Sequence, residues 1–313
     1  MGTSIVLFRV FDIEVRVHWS FVLILVYGAF MYSAGPAGPL VGAAYGVLVT
    51  ILLFVCVTLH EFGHALVAKY YKVRVGSITL LPIGGVANLE RMPDKPMQEF
   101  LIALAGPLVN FALAALLLPF IILTVGMQVS AGTVQGDISQ IMRGMLAGAM
   151  QPSVSNLLVY LLATNVLLGL FNLLPAFPMD GGRILRALLA MAMPYVQATR
   201  TAVLVGRVFA VLMAIWGIMG GGIILMLIAF FIYVGGGAER EAVESRAVLR
   251  HATAEQALSH NAVSLYASER LSRAVDLIMN SYQTDYAVLD LSGNFIGVVT
   301  PPRLVPALKS QGP

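Results

Sequence analysis

Leu59-His60-Glu61-Phe62-Gly63-His64 stands near the end of a long apolar run that begins at Pro39. On a helix, His60 and His64 lie one turn apart on the same face, with their Cβ atoms about 5–6 Å from each other. Two imidazoles so placed can share one zinc ion, each at about 2.0–2.1 Å. Glu61 points to a neighbouring part of the same helix, from which it can take a proton from a water activated at the metal. Two histidines and a glutamate at the end of an apolar helix are costly to place in a membrane, and residues of that kind there read as functional. Cys56 lies one turn before His60, about 5.4 Å along the axis, too far to join an ion held between the two histidines. It reads as apolar packing.

The surrounding composition explains why the cost matters. Of 313 residues, 58% are hydrophobic and only 11% are charged, with a mean hydropathy of +0.86. An average soluble domain is about 25% charged, so the chain is expected to be an integral membrane protein in the lipid bilayer. One cysteine leaves no intrachain disulfide to form. Arg9, Asp12, Glu14 and Arg16 precede the first apolar run, which is not the pattern of a signal peptide. Nothing resembles a nucleic-acid-binding motif, so no nucleic-acid partner is expected.

Working outward, residues 5–17 precede any span, and Phe11, Ile13, Val15 and Val17 alternate with Asp12, Glu14, Arg16 and His18, which predicts a half-buried strand. Spans are predicted at about 19–32, 40–70, 99–125, 154–174, 201–219 and 223–234. A short helix is predicted at 184–193, a polar loop at 128–153, and a turn at Gly220-Gly221-Gly222. Between the second and third spans, residues 72–90 predict a β-hairpin with a bulge at Gly76 and a turn at Pro82-Ile83-Gly84-Gly85. This hairpin is either an interfacial loop or an element dipping into the bilayer edge. Gly235-Gly236-Gly237 is expected to hinge into a charged, soluble tail. In that tail a strand at 263–265, a helix along Leu271, Ala274, Val275, Ile278 and Met279, two strands at 286–289 and 295–299, and a short helix at 302–308 make a small α/β unit.

Basic residues orient the bundle. The side reached by the end of the second span carries Lys69, Lys72, Arg74, Arg91, Lys95, Arg183, Arg186 and Arg200, while the opposite loops carry only Arg143. The first side is therefore expected to be cytoplasmic, with both termini there. Spans two and four both run toward it, so His60, His64 and Asp180 should emerge at similar depth. A catalytic zinc needs a third protein ligand. Asp180 is the candidate, on a segment broken by Pro175 and Pro178; its alternative is to cap the helix that follows. Asn110, Asn165 and Asn172 either steady substrate or its oxyanion, or bond between helices.

His60-Glu61-x-x-His64, Ala-Gly-Pro-x-x-Asn at 105–110 and Asn-x-x-Pro-x-x-Pro-x-Asp-Gly-Gly at 172–182 together resemble the site-2 protease family of intramembrane zinc metalloproteases. The resemblance covers roughly residues 5–237. It implies one zinc per chain held by His60, His64 and Asp180, with Glu61 as general base. It also implies a single-span membrane protein as substrate, such as an anti-sigma-factor-like regulator. The Ile83-Gly84-Gly85 hairpin resembles the family's membrane-reentrant loop, and Gly84 and Gly85 are candidate substrate contacts. Residues of about 264–308, with Gly297-Val-Val-Thr300-Pro-Pro-Arg303-Leu304, look like one cystathionine-β-synthase (CBS) motif. Arg303 stands where nucleotide-binding members carry an acid, so no nucleotide-binding residue is assigned, and pairing of two tails into a homodimer is expected. The expected architecture is thus a polytopic α-helical membrane domain of six transmembrane helices over 1–237, with short β-hairpins on its cytoplasmic side, and a CBS-like tail over 238–313. Its expected place is the cell membrane. The rival reading is a CBS-regulated divalent-metal transporter, which would not need Glu61 as a base.

Overall fold

The computed structural model describes residues 4–89, 95–130, 151–249, 253, 262–280 and 283–302. Two compact units divide between Ala247 and Val248.

The first unit begins with a hairpin. Strand β1 (Ser4–Val10) pairs antiparallel with β2 (Ile13–His18). The connecting Phe11 and Asp12 have φ of 51° and 59°, the left-handed pair of a two-residue hairpin turn. The strand expected from the alternation that begins at Phe11 starts at Ile13, with Phe11 and Asp12 in the turn and a further strand before them. Phe11 carries no turn signal, so the break was not legible. Lys69, at the end of the second helix, donates to Phe11 O at 2.6 Å and to Asp12 Oδ2 at 3.1 Å, which ties down the hairpin tip. The ammonium holds the Asp12 carboxyl below its ordinary range.

Strand β2 pairs in parallel with β3 (Val75–Leu81), and β3 pairs antiparallel with β4 (Gly84–Leu89), giving the order β1-β2-β3-β4. A parallel pair needs a long crossover, supplied here by α1 (Phe21–Ser33) and α2 (Pro39–Tyr70). The register slips between Val75 and Ile78, where the bulge at Gly76 was expected. The turn is shorter than expected, because Gly84 and Gly85 already belong to β4. Ile13 and Val15 of β2 and Ile78 and Leu80 of β3 face inward onto Phe54 and Ala65 of α2. The alternation along both strands thus lays the sheet on the helix that carries the two histidines.

Among the described residues the remaining α-helices of this unit are α3 (Pro96–Ser130), α4 (Val154–Asn172), α5 (Asp180–Ala190), α6 (Tyr195–Trp216) and α7 (Ile223–Leu249), with a π-helical turn over Gly217–Gly221. Among the described residues, five helical segments are long and apolar enough to cross a membrane: Pro39–Tyr70, Pro96–Thr124, Val154–Asn172, Tyr195–Gly221 and Ile223–Leu249. Six were expected. The difference is α1, whose 13 residues rise about 20 Å against a hydrocarbon core of about 30 Å. The helix predicted at 184–193 begins at Asp180 and ends at Ala190.

Gly220 and Gly222, with φ of 122° and 89°, make the break before α7, as expected. The Gly235–Gly237 hinge does not form: α7 runs through it to Leu249, so the units divide past the expected boundary at 237/238. A Cβ on Gly235 would stand 2.8 Å from Pro178 Cδ. Gly235 lets α7 close on the 173–179 loop, and the three glycines do not end the helix.

The second unit contains β5 (Leu265–Tyr266), α8 (Leu271–Asn280), β6 (Tyr286–Leu289) and β7 (Phe295–Val299) in the order β5-β6-β7. Its core is Leu265, Ala274 and Tyr286, against which Val275 and Ile278 pack. Arg303 and the helix predicted at 302–308 lie outside the described residues beyond Pro302, as does most of the loop predicted at 128–153.

Candidate metal centre

Helix α2 brings His60 and His64 to one face, and their Nε2 atoms are 3.1 Å apart. Asp180 Oδ2 lies 3.2 Å from His60 Nε2 and 3.1 Å from His64 Nε2. All three side chains are buried. Among the described residues they are the one group of three or more His, Cys, Asp or Glu close enough to hold a metal.

The protonation of the ring nitrogens follows from their other partners. His64 Nδ1 is 2.7 Å from Ile102 O. A backbone carbonyl only accepts, so the proton of the neutral ring sits on Nδ1 and Nε2 presents a lone pair. His60 Nδ1 is likewise 2.6 Å from Asn110 Oδ1. In that tautomer two imidazole lone pairs and a carboxylate oxygen converge, an arrangement that a bound cation makes favourable. An ion bound tetrahedrally at about 2.0–2.1 Å sets its ligand atoms about 3.3 Å from one another, close to the observed triangle. Carbonyl partners on the far ring nitrogen are the usual support of zinc-binding histidines.

Helix α3 furnishes this support from a single stripe. Ile102, Gly106 and Asn110 are four residues apart, so they line one face toward α2. A Cβ built on Gly106 would stand 2.2 Å from His64 Nε2 and 2.7 Å from His60 Nε2. Glycine at this place keeps open the volume that an ion would fill. The residues present therefore fit a zinc ion.

Glu61 is not one of the converging three. Its Oε2 accepts the Ala87 N–H of β4 at 3.2 Å, and Gly85 of the same strand packs against its Cγ. The catalytic candidate sits between the histidine helix and the free edge of the sheet. Asp180 does not cap α5. Met179 holds the N-cap position, no side chain caps the helix, and the carboxylate is turned to the histidines. Cys56 packs away from the ligands and accepts a bond from Asn165 Nδ2 at 3.3 Å.

The asparagines divide. Asn110, expected to steady substrate or bond between helices, does the second: from α3 it bonds His60 of α2, a metal-ligand candidate. Asn165 is fully buried and also donates to Leu161 O at 2.8 Å, and Asn172 donates to Leu168 O of its own helix at 3.0 Å. Gly84 sits beside the hairpin turn with nothing near a Cβ. Sequence reasoning missed the Ile102 carbonyl, since a backbone acceptor carries no residue signature. It also missed Gly106 as a spacer, although the Ala-Gly-Pro-x-x-Asn motif contains it. Arg186, counted as a loop charge for orientation, is 1% exposed.

The family model for peptidase family M50 matches residues 48–216. The zinc metalloprotease MJ0392 of Methanocaldococcus jannaschii is 33% identical over 299 residues, covering 96% of this chain and 78% of that protein. Rip3 of Mycobacterium tuberculosis is 31% identical over 317 residues, covering 96% of this chain and 75% of its own length. The solved site-2 protease from Methanocaldococcus jannaschii aligns at 36% identity with a TM-score of 0.49, covering 76% of this chain and 95% of that one.

Proposed function

Since the chain belongs to peptidase family M50, the site-2 protease family of zinc metalloproteases, we propose that it hydrolyses peptide bonds in or near the transmembrane segment of a single-span membrane protein. A membrane-anchored regulator, for example one of the anti-sigma-factor kind, is a substrate of this class. The observation that carries this reading is the buried triangle of His60, His64 and Asp180 with Glu61 beside it on α2.

Zinc held by His60, His64 and Asp180, one ion per chain, would supply the acidity of the attacking water and polarise the scissile carbonyl. Glu61 takes the proton from that water and passes it to the leaving amine. Substrate docks as an added strand along β4, the sheet edge next to Glu61. This explains how a helix whose carbonyls are locked in internal bonds is first drawn out into an extended form. Gly84, beside the turn, leaves room for its backbone. The site opens near the cytoplasmic edge of the cell membrane, where water reaches it, with both termini on that side and α1 completing a sixth, short span. The tail is a CBS-like unit that pairs with a second copy. Pairing would use surfaces other than Val275 and Ile278, which pack on the tail's own core.

The test is co-expression with single-span membrane proteins, comparing the parent with Glu61→Gln. A fragment formed by the parent and absent with the variant supports the reading. An equal fragment with both removes it.

A further inference from the structure

Outside the metal centre the most deeply buried charges are Glu99 of α3, 0% exposed, and Arg186 of α5, 1% exposed. Arg186 Nε and one terminal nitrogen both donate to Glu99 Oε1, and the other terminal nitrogen donates to Glu239 Oε1. The guanidinium carbon lies 4.9 Å from the Phe177 ring centre and 5.0 Å from that of Tyr195. One side chain thus grips α3 through Glu99, α6 through Tyr195, α7 through Glu239 and the 173–179 loop through Phe177. Glu99 is fully buried, and its Oε2 has no partner among the described residues.

The zinc chemistry uses none of these groups, and removing two such charges from water is expensive. Their placement accounts for them. His60 and His64 are oriented by Asn110 and Ile102 of α3. Asp180 arrives separately, at the head of α5, after a loop interrupted by prolines. Its distance from the histidines depends on how α5 docks against α3. Glu99 lies one turn before Ile102 on α3, and Arg186 lies on the helix that Asp180 opens. A planar fork with several donors on one carboxylate fixes that docking in register as a point charge would not.

We propose that Arg186 is a positioning residue for the metal centre. Through Glu99 it sets α5 against α3 and so holds Asp180 at bonding distance from the ion. Through Glu239 it makes α7 part of the same lock. The proposal rests on the reading of His60, His64 and Asp180 as zinc ligands.

The experiment uses the full chain in detergent micelles, with zinc affinity read by chelator competition and the thermal midpoint measured in parallel. Arg186→Met is expected to weaken zinc by about tenfold to a hundredfold, as lost support of a ligand does, and to lower the midpoint because Glu99 is left as a buried unpaired charge. Glu99→Gln/Arg186→Met removes both charges. Its midpoint should return toward the parent's while its zinc affinity stays weak. Arg186→Lys should keep most of the midpoint and still lose affinity. Parent-like zinc affinity in the double variant, whatever its midpoint, overturns the proposal and leaves the cluster purely structural. Parent-like affinity in Asp180→Ala would instead overturn the ligand reading on which it rests.

Discussion

Gly106→Ala adds one methyl group, and the structure places it against the two converging Nε2 atoms of His60 and His64. The new carbon would stand 2.2 Å from His64 Nε2 and 2.7 Å from His60 Nε2. An ordinary carbon contact is about 3.5 Å or more, so the His64 ring has to retreat by roughly 1 Å. Metal–ligand distances tolerate about 0.2 Å, so a shift of this size removes a ligand and puts a methyl group where the ion belongs. Zinc affinity should fall by more than about a hundredfold, which is about 2.8 kcal/mol at about 1.4 kcal/mol per factor of ten. The helix should not suffer. Gly106 lies inside α3, where alanine is favoured over glycine by about 1 kcal/mol, and the clash is with movable ring atoms. The assay is zinc content by elemental analysis, with affinity from chelator competition and a thermal midpoint on the same preparation. Loss of zinc with an unchanged or raised midpoint is the expected result. Full zinc at parent affinity would refute the assignment of the ion to this cradle, and with it the reading of the converging nitrogens.

Other substitutions separate the roles of the remaining residues. Glu61→Gln should retain zinc and lose cleavage by at least about a hundredfold, the usual range for a general base; retained cleavage would remove Glu61 from that role. Asp180→Ala should lower zinc content while leaving the helices folded, measured by elemental analysis and circular dichroism; unchanged zinc would require another third ligand. Asn110→Ala takes away the acceptor of His60 Nδ1 and should weaken zinc by about tenfold to a hundredfold, whereas an oxyanion role would lower kcat with zinc affinity intact.

What the sequence by itself determined are the features that repeat over a few residues. The helical period puts His60 and His64 on one face because they are four residues apart, and the structure keeps them there. Alternation along residues 13–17 and 78–80 predicts which side chains turn inward, and Ile13, Val15, Ile78 and Leu80 do so. Gly76 announces the slip in register. Asp180 was legible as a ligand candidate because spans two and four run the same way, its segment is broken by prolines in an apolar chain, and the motif around it resembles a known one. The tertiary structure decided everything that joins distant residues. Asn110 and His60 are 50 positions apart, Ile102 and His64 are 38, Glu99 and Arg186 are 87, and His64 and Asp180 are 116. No local period encodes such pairings, so Asn110 could have faced substrate and Arg186 could have been a loop charge. The glycines at 235–237 show the same limit. A run of glycines frees the backbone and also lets another chain approach closely, and only the presence of Pro178 against Gly235 determines that here it does the second.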